Sequence, residues 1–172
     1  MKQAINRIFR QMNEDALSRK KVKGIRKKAF PCLADLRSML VLWDATEDRT
    51  ACLKLLERKF PGVKIDKVCV VPDKEGIREE EGVTQVCPAE IGFLGKLKNP
   101  ALLQLLSKPY DLFVDLTSVS HVLTDYIRRS TLSACRTGIW KEEETDLRIE
   151  GVLDPLDFIE KLYRVLSKYK KY

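Results

Sequence analysis

Residues 38–43 read SMLVLW, an apolar run that stops at Asp44. A strand with one wet face alternates polar and apolar residues, so an unbroken run after Ser38 predicts a strand buried on both faces, as in a parallel sheet. Downstream, Thr46 heads the segment EDRTACLKLLERKF, in which Ala51, Leu55, Leu56 and Phe60 form the core stripe of a helix closed by Pro61 and Gly62. A second strand, VKIDKVCVV, then runs to Pro72.

The same alternation continues. Residues 83–86 form a short strand, ALLQLLS after Pro100 a short helix, and YDLFVDL from Tyr110 to Leu116 the clearest strand of the chain. Thr117 or Ser118 is placed to cap a helix over 119–129, with Val119, Leu123, Tyr126 and Ile127 inward. LSACRTGIW is a further strand, DLRIEGV a short one, and Asp154-Pro155 starts a last helix. Strands alternating with helices predict an α/β fold, a three-layer sandwich with a mostly parallel, Rossmann-like sheet. At 172 residues the chain accommodates one such domain, over 29–172, preceded by an N-terminal arm over 1–28.

That arm is where the charge lies. Residues 1–28 hold ten Lys or Arg against Glu14 and Asp15, a net of +8, whereas the rest of the chain has 22 basic and 23 acidic residues, a net of −1. Ile5, Ile8, Phe9, Met12 and Ala16 recur at three- and four-residue steps and predict a basic amphipathic helix over residues 2 to about 23. It runs into SRKKVKGIRKK, where Arg19, Lys20, Lys21, Lys23, Arg26, Lys27 and Lys28 form a candidate anion- or nucleic-acid-binding set. RNA or a ribonucleoprotein is the expected partner, through backbone contacts, because Phe9 and Phe30 are the only aromatics near the tract. An anionic membrane surface is a second candidate, and a solvated face with no partner a third.

A different reading places function at the carboxyl ends of the strands, where open α/β sheets bind ligands. Asp44, Asp115 and Thr117 fall there, with His121 just beyond, as the candidate site of a small-ligand or phosphate-handling enzyme; such carboxylates also suit Mg²⁺. Equally, Asp44 and Asp115 are placed to cap helices or bond loop amides. His121 with Asp125, and Cys135 as nucleophile, make a further catalytic combination that solvated helix residues and a strand interior would equally explain. The phosphohydrolase pattern D-x-D-x-T fails at Thr46, no glycine-rich phosphate loop occurs, and a single histidine argues against a zinc site. No cofactor or metal is expected. Five widely spaced cysteines suggest no disulfide framework, and the lack of a long apolar run predicts no transmembrane segment and a cytoplasmic setting. The chain is thus expected to be a non-enzymatic α/β protein with a basic helix for an anionic partner, the enzyme being the alternative.

From PYDLFVDLTSVSHVLTDYIRRSTLSACRTGIW, together with EIGFLGK, the chain resembles the uncharacterised domain-of-unknown-function family 6913, common in Bacteroidota. Members open with a short basic helix, continue with an apolar strand ending in Asp, and carry an aromatic-x-Gly-Lys stretch that Phe93, Gly95 and Lys96 match. The resemblance covers most of the chain and implies the fold and a bacterial cytoplasmic setting, but no catalytic residues. A fainter similarity, carried by Tyr110, Asp111, Asp115, Arg136 and Gly138, is to one half of heptosyltransferase-type glycosyltransferases. Such enzymes need a second Rossmann-like domain, so this likeness carries fold alone.

Overall fold

A computed structural model describes residues 2–22, 26–139 and 145–169. Helix α1 spans Lys2–Ser18. Strand β1 (Ser38–Asp44) leads through α2 (Thr50–Lys59) to β2 (Lys64–Val70) and on to β3 (Val83–Val86). The chain then returns through α3 (Pro100–Leu106), β4 (Pro109–Asp115), α4 (Val122–Ser130), β5 (Leu132–Gly138) and α5 (Pro155–Lys168). The five strands form one all-parallel sheet in the order β3-β2-β1-β4-β5, so the winding direction reverses between β1 and β4.

The apolar run of β1 is buried because successive side chains feed two cores. Met39, Val41 and Trp43 pack with Cys52, Leu56, Phe158 and Leu162 from α2 and α5. Leu40 and Leu42 face the opposite layer, where Leu102 and Leu106 of α3, Leu123 and Ile127 of α4, and Leu17 of α1 meet. The predicted three-layer parallel architecture is therefore the one observed.

Several boundaries differ from expectation for local reasons. Helix α1 ends at Ser18, short of residue 23. Helix α2 starts at Thr50 because the Asp44 and Asp48 carboxylates hold the Thr46 and Thr50 amides in turns ahead of it. His121, not Thr117 or Ser118, caps α4: its Nδ1 accepts from the Leu123 amide at 3.1 Å. DLRIEGV is no strand; Leu147 alone makes a parallel bridge, to Thr137. Strand β5 ends at Gly138, and Trp140 of the predicted strand lies outside the described residues.

Among the described residues, helix α1 is anchored at its C-terminal end. Leu17 is fully buried, whereas Ile5, Ile8, Phe9 and Met12 are 47–60% exposed. The anchor depends on Gly95, whose φ of +70° favours glycine and whose backbone touches the helix. A Cβ at this position would sit 2.6 Å from the Leu17 amide nitrogen and 2.8 Å from Leu17 Cα. The glycine of EIGFLGK is thus a requirement of helix docking.

Gly95→Ala is accordingly expected to lift α1 from the turn, with a backbone penalty of about 1–2 kcal/mol before any clash is counted. Hydrogen exchange over residues 2–18 should accelerate while the β1 and β4 amides stay protected; unchanged exchange in α1 would show that the glycine is not its anchor.

Candidate functional site

At the reversal point the two strand-end carboxylates lie on the same face of adjacent strands, and both are occupied. Asp44 Oδ1 accepts from the Thr46 amide at 3.0 Å, while Oδ2 accepts from the amides of Ser118 and, at 3.3 Å, Val119. Burial pushes the Asp44 carboxyl up, but the Thr46 hydroxyl and these amides outweigh it and hold the group below its ordinary value. Asp115 Oδ1 accepts from the Thr117 amide at 3.0 Å and its hydroxyl at 2.7 Å, and Oδ2 from Arg128 Nε at 2.5 Å. Arg128 also reaches Asp125 at 2.9 Å, and both members of the Asp115–Arg128 pair are buried.

A second buried arginine ties the same loops. Arg49 donates from Nε to the Leu116 carbonyl at 3.1 Å and from a terminal nitrogen to Ser118 Oγ at 2.9 Å. Gly138, on β5, lies where a Cβ would come within 2.8 Å of Asp115 Cβ. The strand ends are thus stitched together by carboxylates and guanidinium groups directed at backbone, the loop-bonding alternative of the sequence reading.

A cleft of about 270 Å³ opens above this network, lined among others by Asp44, Thr46, Pro72, His121, Thr124 and Arg10 of α1. The structure therefore brings Asp44 and His121 to one cavity, whereas Asp115 and Thr117 are buried with Arg128 and do not line it. His121 and Asp125 do not pair: His121 Nδ1 is the helix cap, its Nε2 lies 4.0 Å from Glu14, and Asp125 accepts from Ser120 and Arg128. Cys135 is fully buried, and burial together with the nearby Asp146 charge pushes its thiol up to about 12, which removes it as a nucleophile. Among the described residues no group of three or more His, Cys, Asp or Glu is placed to hold a metal.

The basic tract divides in two. Arg19, Lys20, Lys21, Lys27 and Lys28 are exposed, and Lys23 lies outside the described residues. Arg26 is largely buried and grips Asp146 with both terminal nitrogens, one at 2.8 Å, so it is a structural residue and not an open contact. Alongside it, Ala29 donates to the Ala134 carbonyl at 3.0 Å, laying residues 26–29 along the open edge of β5. Farther on, Phe30 stacks with Tyr169, centroids 6.3 Å apart and planes within 13°. Sequence reading missed Arg49, Arg128 and Tyr169, since nothing local in the chain distinguishes a buried arginine or a partnered tyrosine from an exposed one.

The model of a family of unknown function (DUF6913) matches residues 9–168. No curated protein and no solved structure matches the chain. Among the described residues no helix is long and apolar enough to cross a membrane.

Two outcomes follow from the buried charges. Arg128→Ala leaves Asp115 buried without its counter-ion and is expected to cost about 3–5 kcal/mol in denaturant unfolding; a loss under about 1 kcal/mol would mean that water already screens the pair. Burial raises the Asp146 carboxyl, but the Arg26 side chain, the Arg136 amide and Lys28 prevail and hold it at about 2 against an ordinary 3.8. A depressed carboxylate stabilises the fold above its unfolded value and loses that contribution as pH falls through its folded value. Wild type should therefore lose more stability between about pH 4 and about pH 2 than Arg26→Ala; parallel profiles in urea titrations would overturn this.

Proposed function

We propose, for a chain that belongs to the family of unknown function DUF6913, a non-enzymatic role: an α/β platform that presents a basic amphipathic helix and lysine-rich tract to RNA or a ribonucleoprotein. The observation that carries it is the state of α1, whose apolar stripe of Ile5, Ile8, Phe9 and Met12 is not spent on the sheet. A helix held by one end, with apolar residues in water and cations beside them, is built to meet a surface. The exposed Arg19, Lys20, Lys21, Lys27 and Lys28 supply charge for phosphates by counter-ion release, and lysines of this kind act as point charges without reading sequence. Five free cysteines suit a reducing compartment such as the cytoplasm.

The enzymatic alternative at Asp44, Asp115, Thr117 and His121 is favoured less, because the carboxylates there are engaged by loop amides, Thr117 and Arg128. A truncation at Ala29 is a poor test of the basic tract, since it also removes the buried Leu17 and the Arg26–Asp146 pair. A charge-reversed Arg19→Glu, Lys21→Glu, Lys27→Glu chain keeps both, and among the described residues none of these three forms an ion pair.

Filter binding to single-stranded RNA across a salt series is expected to give a steep slope for wild type, shallower by about 2 in the reversed chain if each cation meets a phosphate. No RNA binding by wild type at low salt, or equal slopes, would overturn the proposal. Binding to anionic vesicles in place of RNA would move α1 to a membrane surface.

A further inference from the structure

The fold makes a feature that the sequence does not announce. Phe30, two residues after the basic tract, and Tyr169, immediately after α5, are far apart in the chain yet lie nearly parallel. Both rings remain in water, Phe30 at 60% and Tyr169 at 49% exposure. Aromatic pairs normally repay their cost by burial, so a stacked pair left half exposed retains apolar surface that a further planar group could cover. The two rings border a cleft of about 300 Å³ that also includes Pro31, Asp35, Asp111 and Ala134. Cations flank it in sequence on both sides: Lys27 and Lys28 before Phe30, and Lys168 before Tyr169, all exposed.

We propose that Phe30 and Tyr169 form a stacking platform for an unpaired nucleobase, with Lys27, Lys28 and Lys168 along the adjoining phosphates. This deepens the RNA-binding reading and rests on it, since it converts a purely electrostatic grip into one that selects single strands. A base inside a duplex has no free face, whereas an unpaired one stacks on aromatics whatever its identity. Asp111 on the cleft wall repels phosphate, so the backbone lies outside the cleft with the neighbouring lysines and the base turns inward. There Asp111 Oδ1 accepts from the exocyclic amino group of cytosine or adenine, which uracil lacks. Asp111 Oδ2 is already committed to the amides of Arg37 and Ser38, at 2.8 and 2.9 Å, which fixes the carboxylate at the cleft wall.

The test uses the full chain with an oligonucleotide of about 12 residues containing only A and C, as a single strand and as its duplex, at fixed salt. Phe30→Ala and Tyr169→Ala are each expected to weaken single-strand binding about 5- to 100-fold, to leave duplex binding and the salt slope unchanged, and Tyr169→Phe to retain wild-type affinity. Ordinary thermal unfolding of both alanine variants separates loss of stacking from loss of fold. If the ring variants bind the single strand like wild type while Arg19→Glu, Lys21→Glu, Lys27→Glu does not, the platform is overturned and the electrostatic reading stands. If wild type binds neither strand form, both fall together.

Discussion

Five parallel strands cannot be joined by hairpins, so each connection has to run back along the sheet before the next strand begins. That constraint fixes most of this molecule. Its central strand has to be apolar on both sides, which is why β1 is an unbroken run and why Met39 and Leu40 enter different cores. Because crossovers are right-handed, layering helices on both faces then requires a reversal, and it falls beside β1, where the chain stops winding in one direction and starts in the other. Diverging loops at that point leave backbone amides and carbonyls without strand partners. Asp44, Asp115 and Arg49 satisfy them, with Arg128 neutralising Asp115. The buried charges at the strand ends are a consequence of the topology before they are evidence of chemistry.

This explains the pattern of what could be read from the chain. The apolar runs of β1 and β4 and the helical stripe of α2 are local signals, and periodicity recovers them. The strand order is not local, so a parallel sheet was legible and the reversal between β1 and β4 was not. The same distinction separates the polar residues. Asp44 and Asp115 were visible as strand-end acids, but whether such a group is open or occupied depends on amides at Ser118 and Val119 or on an arginine one helix later. His121 was visible as a lone imidazole, and its role as the cap of α4 depends on the chain bending at Ser118 and Val119, whose amides Asp44 holds, before the helix begins, which no residue there dictates. Leu147, a bridge in place of a strand, illustrates the converse: an apolar pattern with nowhere in the sheet to continue.

An all-parallel sheet also has two open edges, and the edge of β5 is closed from both directions. Residues 26–29 approach through the Ala29–Ala134 hydrogen bond, and Asp146 and Leu147 donate to the Arg136 carbonyl. Asp146 joins the two coverings, since its carboxylate takes the Arg26 guanidinium and the Arg136 amide together. The edge therefore depends on a residue that sequence reading counted with the outward-facing cations.

The division within the basic tract follows from the chemistry of the two cations. A guanidinium is planar, weakly hydrated and matched to a carboxylate in two parallel bonds, so it can be buried against Asp146 at tolerable cost. An ammonium is compact and strongly hydrated, and burial costs it more than one carboxylate returns. Arginine at position 26 accordingly builds the edge, while lysines at 20, 21 and 27 remain in water and Lys28, itself exposed, reaches Asp146 only from the solvent side, at 3.2 Å. Because the arginine is anchored, Lys27 and Lys28 emerge from a backbone already pinned to β5, next to the Phe30–Tyr169 stack, instead of from a freely jointed tail. Charges held at fixed positions beside an aromatic surface lose less conformational entropy on meeting a phosphate backbone than the same charges on a mobile segment. The tract is thus half structure and half surface, and the structural half gives the surface half its geometry.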